Sequence, residues 1–239
     1  MFKTITSTLL ITGATLMTAS CKPSDAELKK AIEETIKDNP EIIIQALEDY
    51  QNKMEQKQAN SQKEALSSSK EALYNDGHSL VLGNPAGDVT IIAFKDYRCG
   101  YCKRAWDSVV KLTETDKNIR IILKEMPILG AASTLASKYG LASNAQGKYA
   151  AYYDALMRHR GPWTEEGLLK LAETVGLDTE KLAQDAEAED IKMALQSNLK
   201  LAQKLGITGT PAFIIGDQLL PGAVPLATLQ KLATEERAK

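Results

Sequence analysis

Apolar residues in this chain recur with two different periods, and the change from one to the other divides it. From Ser24 onward the spacing is helical. Ser24-Asp25-Ala26-Glu27 is a capping-box pattern, and it predicts a short helix through Ile32 and Ile36. Asn39-Pro40 then ends that helix and starts another, with Asn39 as cap and Pro40 at the first helical position. This second pattern predicts a helix from Glu41 to about Tyr74, a rod of roughly 50 Å at 1.5 Å per residue. Ile43, Leu47, Tyr50 and Met54 recur at alternating four- and three-residue steps, which is a coiled-coil seam. Beyond Met54 the seam fades into Gln, Lys, Asn and Ser, so the later part reads as a solvated connector. The apolar part needs a surface to dock on, either its own domain or another copy of the chain. About two heptads of seam do not separate dimer from trimer.

From Asn75-Asp76-Gly77 the pattern turns to short strands. Leu80–Leu82 is an edge strand, and residues 83–88 form a Gly/Pro turn. Val89–Phe94 is the central strand. A helix carrying Trp106, Val109, Val110 and Leu112 follows, then a strand over Ile119–Leu123. That β-α-β unit predicts a right-handed crossover and a parallel pair. After Pro127 five helical patterns follow: 131–143, 148–158, 164–175, 178–186 and 191–205. Thr164 and Asp178 are good caps. Tyr149, Tyr152, Tyr153 and Trp163 read as core, Asp185 to Asp190 as a solvated surface, and His159 as chemically idle. The chain returns to strands at Thr210-Pro211, with a hairpin turning at Gly216-Asp217. Pro225 opens a last helix with Leu226, Leu229 and Leu232 facing inward.

Composition narrows the class. The apolar and charged fractions of the 239 residues are those of an ordinary globular protein. A net charge of −2 argues against nucleic acid as a partner. Three cysteines are too few for a disulfide scaffold. Residues 1–20 read as an export signal, with Lys3 as a thin basic region, a modest apolar stretch from Ile5 to Met17, and small residues Ala19-Ser20. The stretch is too short and too polar to span a bilayer. Thr18-Ala19-Ser20-Cys21 resembles a bacterial lipobox, which makes Cys21 the lipidated first residue of the mature protein. The alternative is a soluble periplasmic protein cleaved nearby.

Cys99-Gly100-Tyr101-Cys102 sits where the central strand gives way to a helix. There the first sulfur meets free backbone N–H groups and the positive end of the helix dipole. That seat favours the thiolate, the nucleophilic form, and places Cys102 to resolve a mixed disulfide at Cys99. Half a zinc site is the competing reading. Zinc usually takes four ligands, and neither Cys21, His78 nor His159 lies at ligand spacing. A strand leading into a helix points instead to redox use. Far downstream, Pro211 opens an apolar strand, a position proline tolerates because it has no N–H to donate.

These stretches resemble the thioredoxin superfamily, specifically its DsbA-like branch of bacterial envelope thiol–disulfide oxidoreductases. Within that branch the chain is most similar to DsbA/ScsC-type proteins with an N-terminal oligomerisation segment. The resemblance is carried by Asn39-Pro40-Glu41-Ile42, Leu82-Gly83-Asn84-Pro85, Phe94 with Asp96-Tyr97, the cysteine motif, Lys124 to Gly130, and Gly209-Thr210-Pro211-Ala212-Phe213. It implies an α/β, thioredoxin-like fold over 75–239 with a helical insertion at about 131–205 covering the face near the active site. An N-terminal helical stalk over 24–74 would precede it. It also implies a cis Thr210–Pro211 bond beside Cys99, and a redox-active disulfide Cys99–Cys102 with no other cofactor. Cys99 is expected to be the exposed thiol and Cys102 the buried one.

Arg98 and Lys103 either favour the thiolate or are simply solvated. Lys95 and Glu125 are candidates for a proton relay to Cys102. Lys95 departs from the apolar or acidic residue expected after Phe94. Gly100 and Tyr101 tune the potential, and Gly-Tyr resembles isomerases more than the strong oxidase. The implied partners are exported proteins with thiols or disulfides, a membrane redox partner for recycling, and further copies of the chain as a homo-dimer or homo-trimer. The function expected is isomerase, reductase or bifunctional oxidase–isomerase in the periplasm or cell envelope. A dedicated oxidase is the alternative within the class. A Cu(I)-binding copper-tolerance protein is the alternative outside it, since soft thiolates select Cu(I).

Overall fold

The computed structural model describes residues 23–239. The export-signal stretch 1–20 and the lipidation candidate Cys21 lie outside the described residues. The described residues divide into two compact units, 23–56 and 57–239.

In the first unit, α1 (Asp25–Asp38) opens with the full capping box. The Ser24 hydroxyl accepts the Glu27 amide, and the Glu27 carboxylate accepts the Ser24 amide at 2.9 Å. Asn39 behaves differently from expectation. Its side-chain Nδ2 donates back to the Thr35 carbonyl at 2.9 Å, so it closes α1 instead of capping α2 (Glu41–Ser67). The seam residues Ile43, Leu47, Tyr50 and Met54 are 45–61% exposed.

The rod is shorter than its pattern suggested. α2 stops at Ser67 after about 40 Å, and α3 (Lys70–Tyr74) follows a turn at Ser68-Ser69. Three consecutive serines weaken the helix there, because their hydroxyls compete for backbone groups. The Ser68 hydroxyl donates to the Ala65 carbonyl. The expected boundary at residue 75 is also corrected. Leu66 and Leu73 are buried against Ile92, Phe94 and Ile122, so the end of α2 and all of α3 belong to the second unit. Leu73 is 1% exposed. Leu73→Ala is therefore expected to cost about 2–5 kcal/mol, read as a lower urea midpoint at unchanged slope. An unchanged midpoint would place residues 66–74 outside the folded unit.

The second unit is built on a five-stranded sheet in the order β1-β3-β2-β4-β5. The strands are β1 (Leu80–Gly83), β2 (Val89–Lys95), β3 (Ile119–Glu125), β4 (Ala212–Ile215) and β5 (Gln218–Pro221). β2 and β3 run parallel, joined by α4 (Gly100–Thr115), and every other pairing is antiparallel. Strand alternation sorts the side chains onto two faces. Ile91, Ala93, Ile121, Leu123 and Phe213 face one core with α4 and the last helix, α10 (Leu226–Arg237). Ile92, Phe94, Ile122 and Ile214 face the other.

Between β3 and β4 lie α5 (Ala131–Ala142), α6 (Tyr149–Arg158), α7 (Glu165–Glu173), α8 (Thr179–Ala186) and α9 (Glu189–Lys204). Thr164 and Asp178 cap α7 and α8 through their side chains. This block does not lie wholly over the active-site face. Helix α9 crosses to the opposite one, where Leu201 and Ala202 pack with Ile92 and Phe94. Among the described residues no helix is long and apolar enough to cross a membrane.

Candidate active site

β2 ends at Lys95, and the next four residues aim the first cysteine. The Asp96 carboxylate is fully buried and accepts the backbone amides of Arg98 (2.8 Å), Ile128 (3.0 Å) and Leu129 (3.1 Å). Its carbonyl accepts the Cys99 amide at 3.1 Å. Asp96 thereby ties the cysteine loop to the loop after β3. Cys99 is the N-cap of α4, in extended backbone, and its Sγ accepts the Cys102 amide at 3.3 Å. An orphan helix N–H is thus spent on the sulfur.

The Thr210–Pro211 bond is cis. The Thr210 carbonyl accepts a hydrogen bond from Cys99 Sγ at 3.1 Å, which brings together residues 111 positions apart. The same contact overturns one expectation. Cys99 is not open to solvent: it is 6% exposed, against 2% for Cys102, because Thr210 covers its sulfur. Both cysteines are free thiols in this structure. Burial above all pushes the Cys102 thiol up to about 12, with the Asp96 backbone and Thr210 side chain pulling the other way.

Lys95 and Glu125 are registered partners on the parallel pair β2–β3. Alternation turns both into the core that holds the cysteines, where they form a buried ion pair. Glu125 also accepts hydroxyls from Tyr97 (2.8 Å), Tyr149 (3.3 Å) and Ser137 (2.7 Å). The Lys95 ammonium lies 3.0 Å from the centroid of the Tyr97 ring and 4.5 Å from that of Tyr153. Burial outweighs the pull of Glu125 and lowers Lys95 to about 8. A cavity of about 20 Å³ is lined by Lys95, Cys102, Trp106, Tyr153 and Pro211, enough for about one water. The sequence pattern marks Tyr149 and Tyr153 only as core, and carries no sign of Ser137 or of the anchoring role of Asp96. Gly140 leaves the room Tyr97 needs, since a Cβ there would stand 2.5 Å from its hydroxyl.

Arg98 and Lys103 are hydrogen-bonded to neither sulfur. Arg98 donates to the Leu129 carbonyl at 2.7 Å, and Lys103 donates to the His159 carbonyl while lying over the Trp163 ring. Tyr101 is 61% exposed and carries the Arg104 guanidinium 4.1 Å above its ring. A Cβ on Gly100 would make only ordinary contact, so that glycine is not sterically required. Among the described residues no three His, Cys, Asp or Glu side chains converge as a metal site, so a Cu(I) reading rests on the two sulfurs alone.

Ionisation here makes stability depend on pH. Cys102 (to about 12) and the Tyr97 and Tyr149 phenols are raised by burial above their unfolded values of 9.0 and 10.0. The folded state keeps these protons longer, so their contribution is full below the unfolded values and lost as pH rises towards the folded ones. Lys95 acts oppositely between about 8 and 10.5, where only the unfolded chain holds its proton. The reduced protein is expected to lose stability above about pH 10.5, measured by urea denaturation. Cys102→Ser should flatten the decline between about pH 10.5 and 12. An unaltered slope would mean that burial does not hold the thiol neutral.

Comparison with known proteins bears on the fold and the family. A thioredoxin-like oxidoreductase from Silicibacter pomeroyi DSS-3 is 44% identical, covers 71% of this chain and 98% of its own, and superposes with a TM-score of 0.69. The catalytic domain of Proteus mirabilis ScsC is 32% identical over 74% of this chain and 99% of its own, at 0.68. The thiol-disulfide exchange protein alpha-DsbA2 from Wolbachia pipientis is 30% identical over 74% and 96%, at 0.70. A curated relative, the Na(+)/H(+) antiporter NhaA 1 of Salinispora arenicola, is 24% identical over 64% of this chain, which spans only 24% of that protein's length. Residues 90–233 match the model of the DsbA-like thioredoxin domain, the stretch holding both cysteines and the cis-proline, and the chain belongs to that family of thiol–disulfide oxidoreductases.

Proposed function

We propose that the chain exchanges disulfides with exported proteins in the bacterial envelope, using Cys99 as the attacking sulfur. The observation that carries this reading is the seat of Cys99 Sγ, which accepts a helix amide and lies against the cis-proline loop. The Cys99 thiolate attacks a client disulfide. A bond forms between Cys99 and one client sulfur, and the other leaves as thiolate. Cys102 then gives up its proton and attacks Cys99 Sγ, releasing the client thiol and leaving the Cys99–Cys102 disulfide. If instead a second client thiolate attacks the client sulfur of the mixed disulfide, Cys99 leaves as thiolate and the client keeps a disulfide in a new pairing, with no net change in oxidation. A client strand laid along Thr210 and Pro211 would hold its cystine in line. Lys95, backed by Glu125, accepts the Cys102 proton across the small cavity.

Isomerase or bifunctional activity is favoured over dedicated oxidation by two features. The Gly-Tyr pair supplies no histidine charge between the cysteines. The exposed seam Ile43, Leu47, Tyr50 and Met54 suits self-association into a dimer or trimer, which would set catalytic sites around one client. Membrane recycling and lipidation of Cys21 belong to the same proposal.

Reduction potential and refolding of scrambled ribonuclease test it together. A potential near that of protein disulfide isomerase, about −180 mV, with recovery of ribonuclease activity, is the expected result. A potential near about −120 mV with no recovery would mark an oxidase.

A further inference from the structure

Four basic residues stand on the segments that flank the cysteine motif: Arg98 before Cys99, Lys103 and Arg104 just after Cys102 in α4, and Arg160 beyond α6. The Arg160 guanidinium shares the His159 carbonyl with Lys103, which fixes it beside that turn. Among the described residues, none of the four is in an ion pair. The nearby carboxylates are already engaged: Asp96 is buried on three amides, while Asp154 and Asp107 lie 3.0 and 3.8 Å from Arg158. What holds the four cations is carbonyls and rings instead. Leu129 accepts from Arg98, the carbonyls of 157–159 accept from Arg160, and Arg104 lies on Tyr101. Such anchors fix a cation's position without an opposing charge; burial, and then Arg160, lower Lys103 to about 8, so the three arginines carry the rim's charge at and above that pH. The other loops at the site, 127–131 and 206–211, contain no charged residue. In a chain of net charge −2 this is local enrichment, not general basicity.

We infer that this rim selects partner polypeptides whose cystine is flanked by aspartate or glutamate. The inference rests on the exchange chemistry proposed above and specifies its substrate class. Uncancelled charge around a reactive group raises encounter rates with opposite charge by about 10- to 10³-fold, an effect that salt removes. Anchored side chains also lose little freedom on binding.

Two cystine peptides test this, identical except for Glu or Lys beside the half-cystine. Mixed-disulfide formation with Cys99 is timed by stopped flow at about 0.01 M and about 1 M salt, where charges are screened beyond about 30 and 3 Å. The acidic peptide is expected to react about tenfold faster at low salt, with the ratio falling towards one at high salt. The double variant Arg104→Glu, Arg160→Glu should reverse the preference. Equal rates at low salt, or an unchanged ratio in the variant, would overturn the inference while leaving the exchange reading intact. Failure of both peptides to react would remove the exchange reading and this inference together.

Discussion

Cys99→Ser is expected to lower disulfide exchange by on the order of 10³-fold or more, while Cys102→Ser accumulates a stable mixed disulfide with the client. The two outcomes differ because the two sulfurs are placed for different steps. Cys99 Sγ has the helix amide and the Thr210 carbonyl as neighbours, so on the proposed path attack on a client begins there. Cys102, raised to about 12 by burial, is proposed to act only on a sulfur already bonded to Cys99. Serine at position 99 is a good N-cap and can make the same two hydrogen bonds, so the fold should survive and the loss should be chemical. Non-reducing electrophoresis and intact mass read the trapped species, and insulin reduction reads turnover. The assignment would fall if the Cys99→Ser protein still exchanged disulfides, or if the Cys102→Ser protein trapped no client.

Much of this site is legible in the sequence. Val89–Phe94 and Ile119–Leu123 are near-continuous apolar runs, as strands buried on both faces require, and a parallel pairing of the two strands sets Lys95 opposite Glu125. The cysteines announce themselves by spacing, and Pro211 by its place at a strand start. Other features depend on contacts that no local pattern records. Tyr97, Ser137 and Tyr149 converge on Glu125 from a loop and two helices. Periodicity marks a tyrosine as buried without saying which carboxylate its hydroxyl meets. The cover over Cys99 comes from Thr210, and chain-local reasoning about a helix end leaves that sulfur open. Leu66 and Leu73, in a stretch rich in Ser, Lys and Glu, make too short a period to show that they close one core with Ala65, Ala72 and Tyr74. Helix α9 posed a related difficulty, because an amphipathic pattern does not say which face of a sheet it covers.

Lys95→Met carries the second large expectation, and it separates catalysis from structure. Removing one partner of a buried ion pair costs about 3–5 kcal/mol, because the remaining charge stays buried. Here Glu125 would keep only its hydroxyl donors from Tyr97, Tyr149 and Ser137. The double variant Lys95→Met, Glu125→Gln should recover much of that loss, since both charges are then gone. The kinetic effect should not recover. With Lys95 near 8 and Cys102 near 12, the amine gains its accepting form as pH rises through 8, and resolution by Cys102 should accelerate over that range. Without the amine, the rise should move towards the ionisation of Cys102 itself, slowing resolution at pH 8 by about 10²-fold. Single-turnover resolution of a preformed Cys99 mixed disulfide, followed from pH 6 to 10, gives the profile. A purely structural lysine would lower stability but leave the inflection near 8 in place, and that result would take Lys95 out of the proton path. Loss of the inflection in both variants, with stability regained in only one, would show that the ion pair serves the fold and the free amine serves the sulfur.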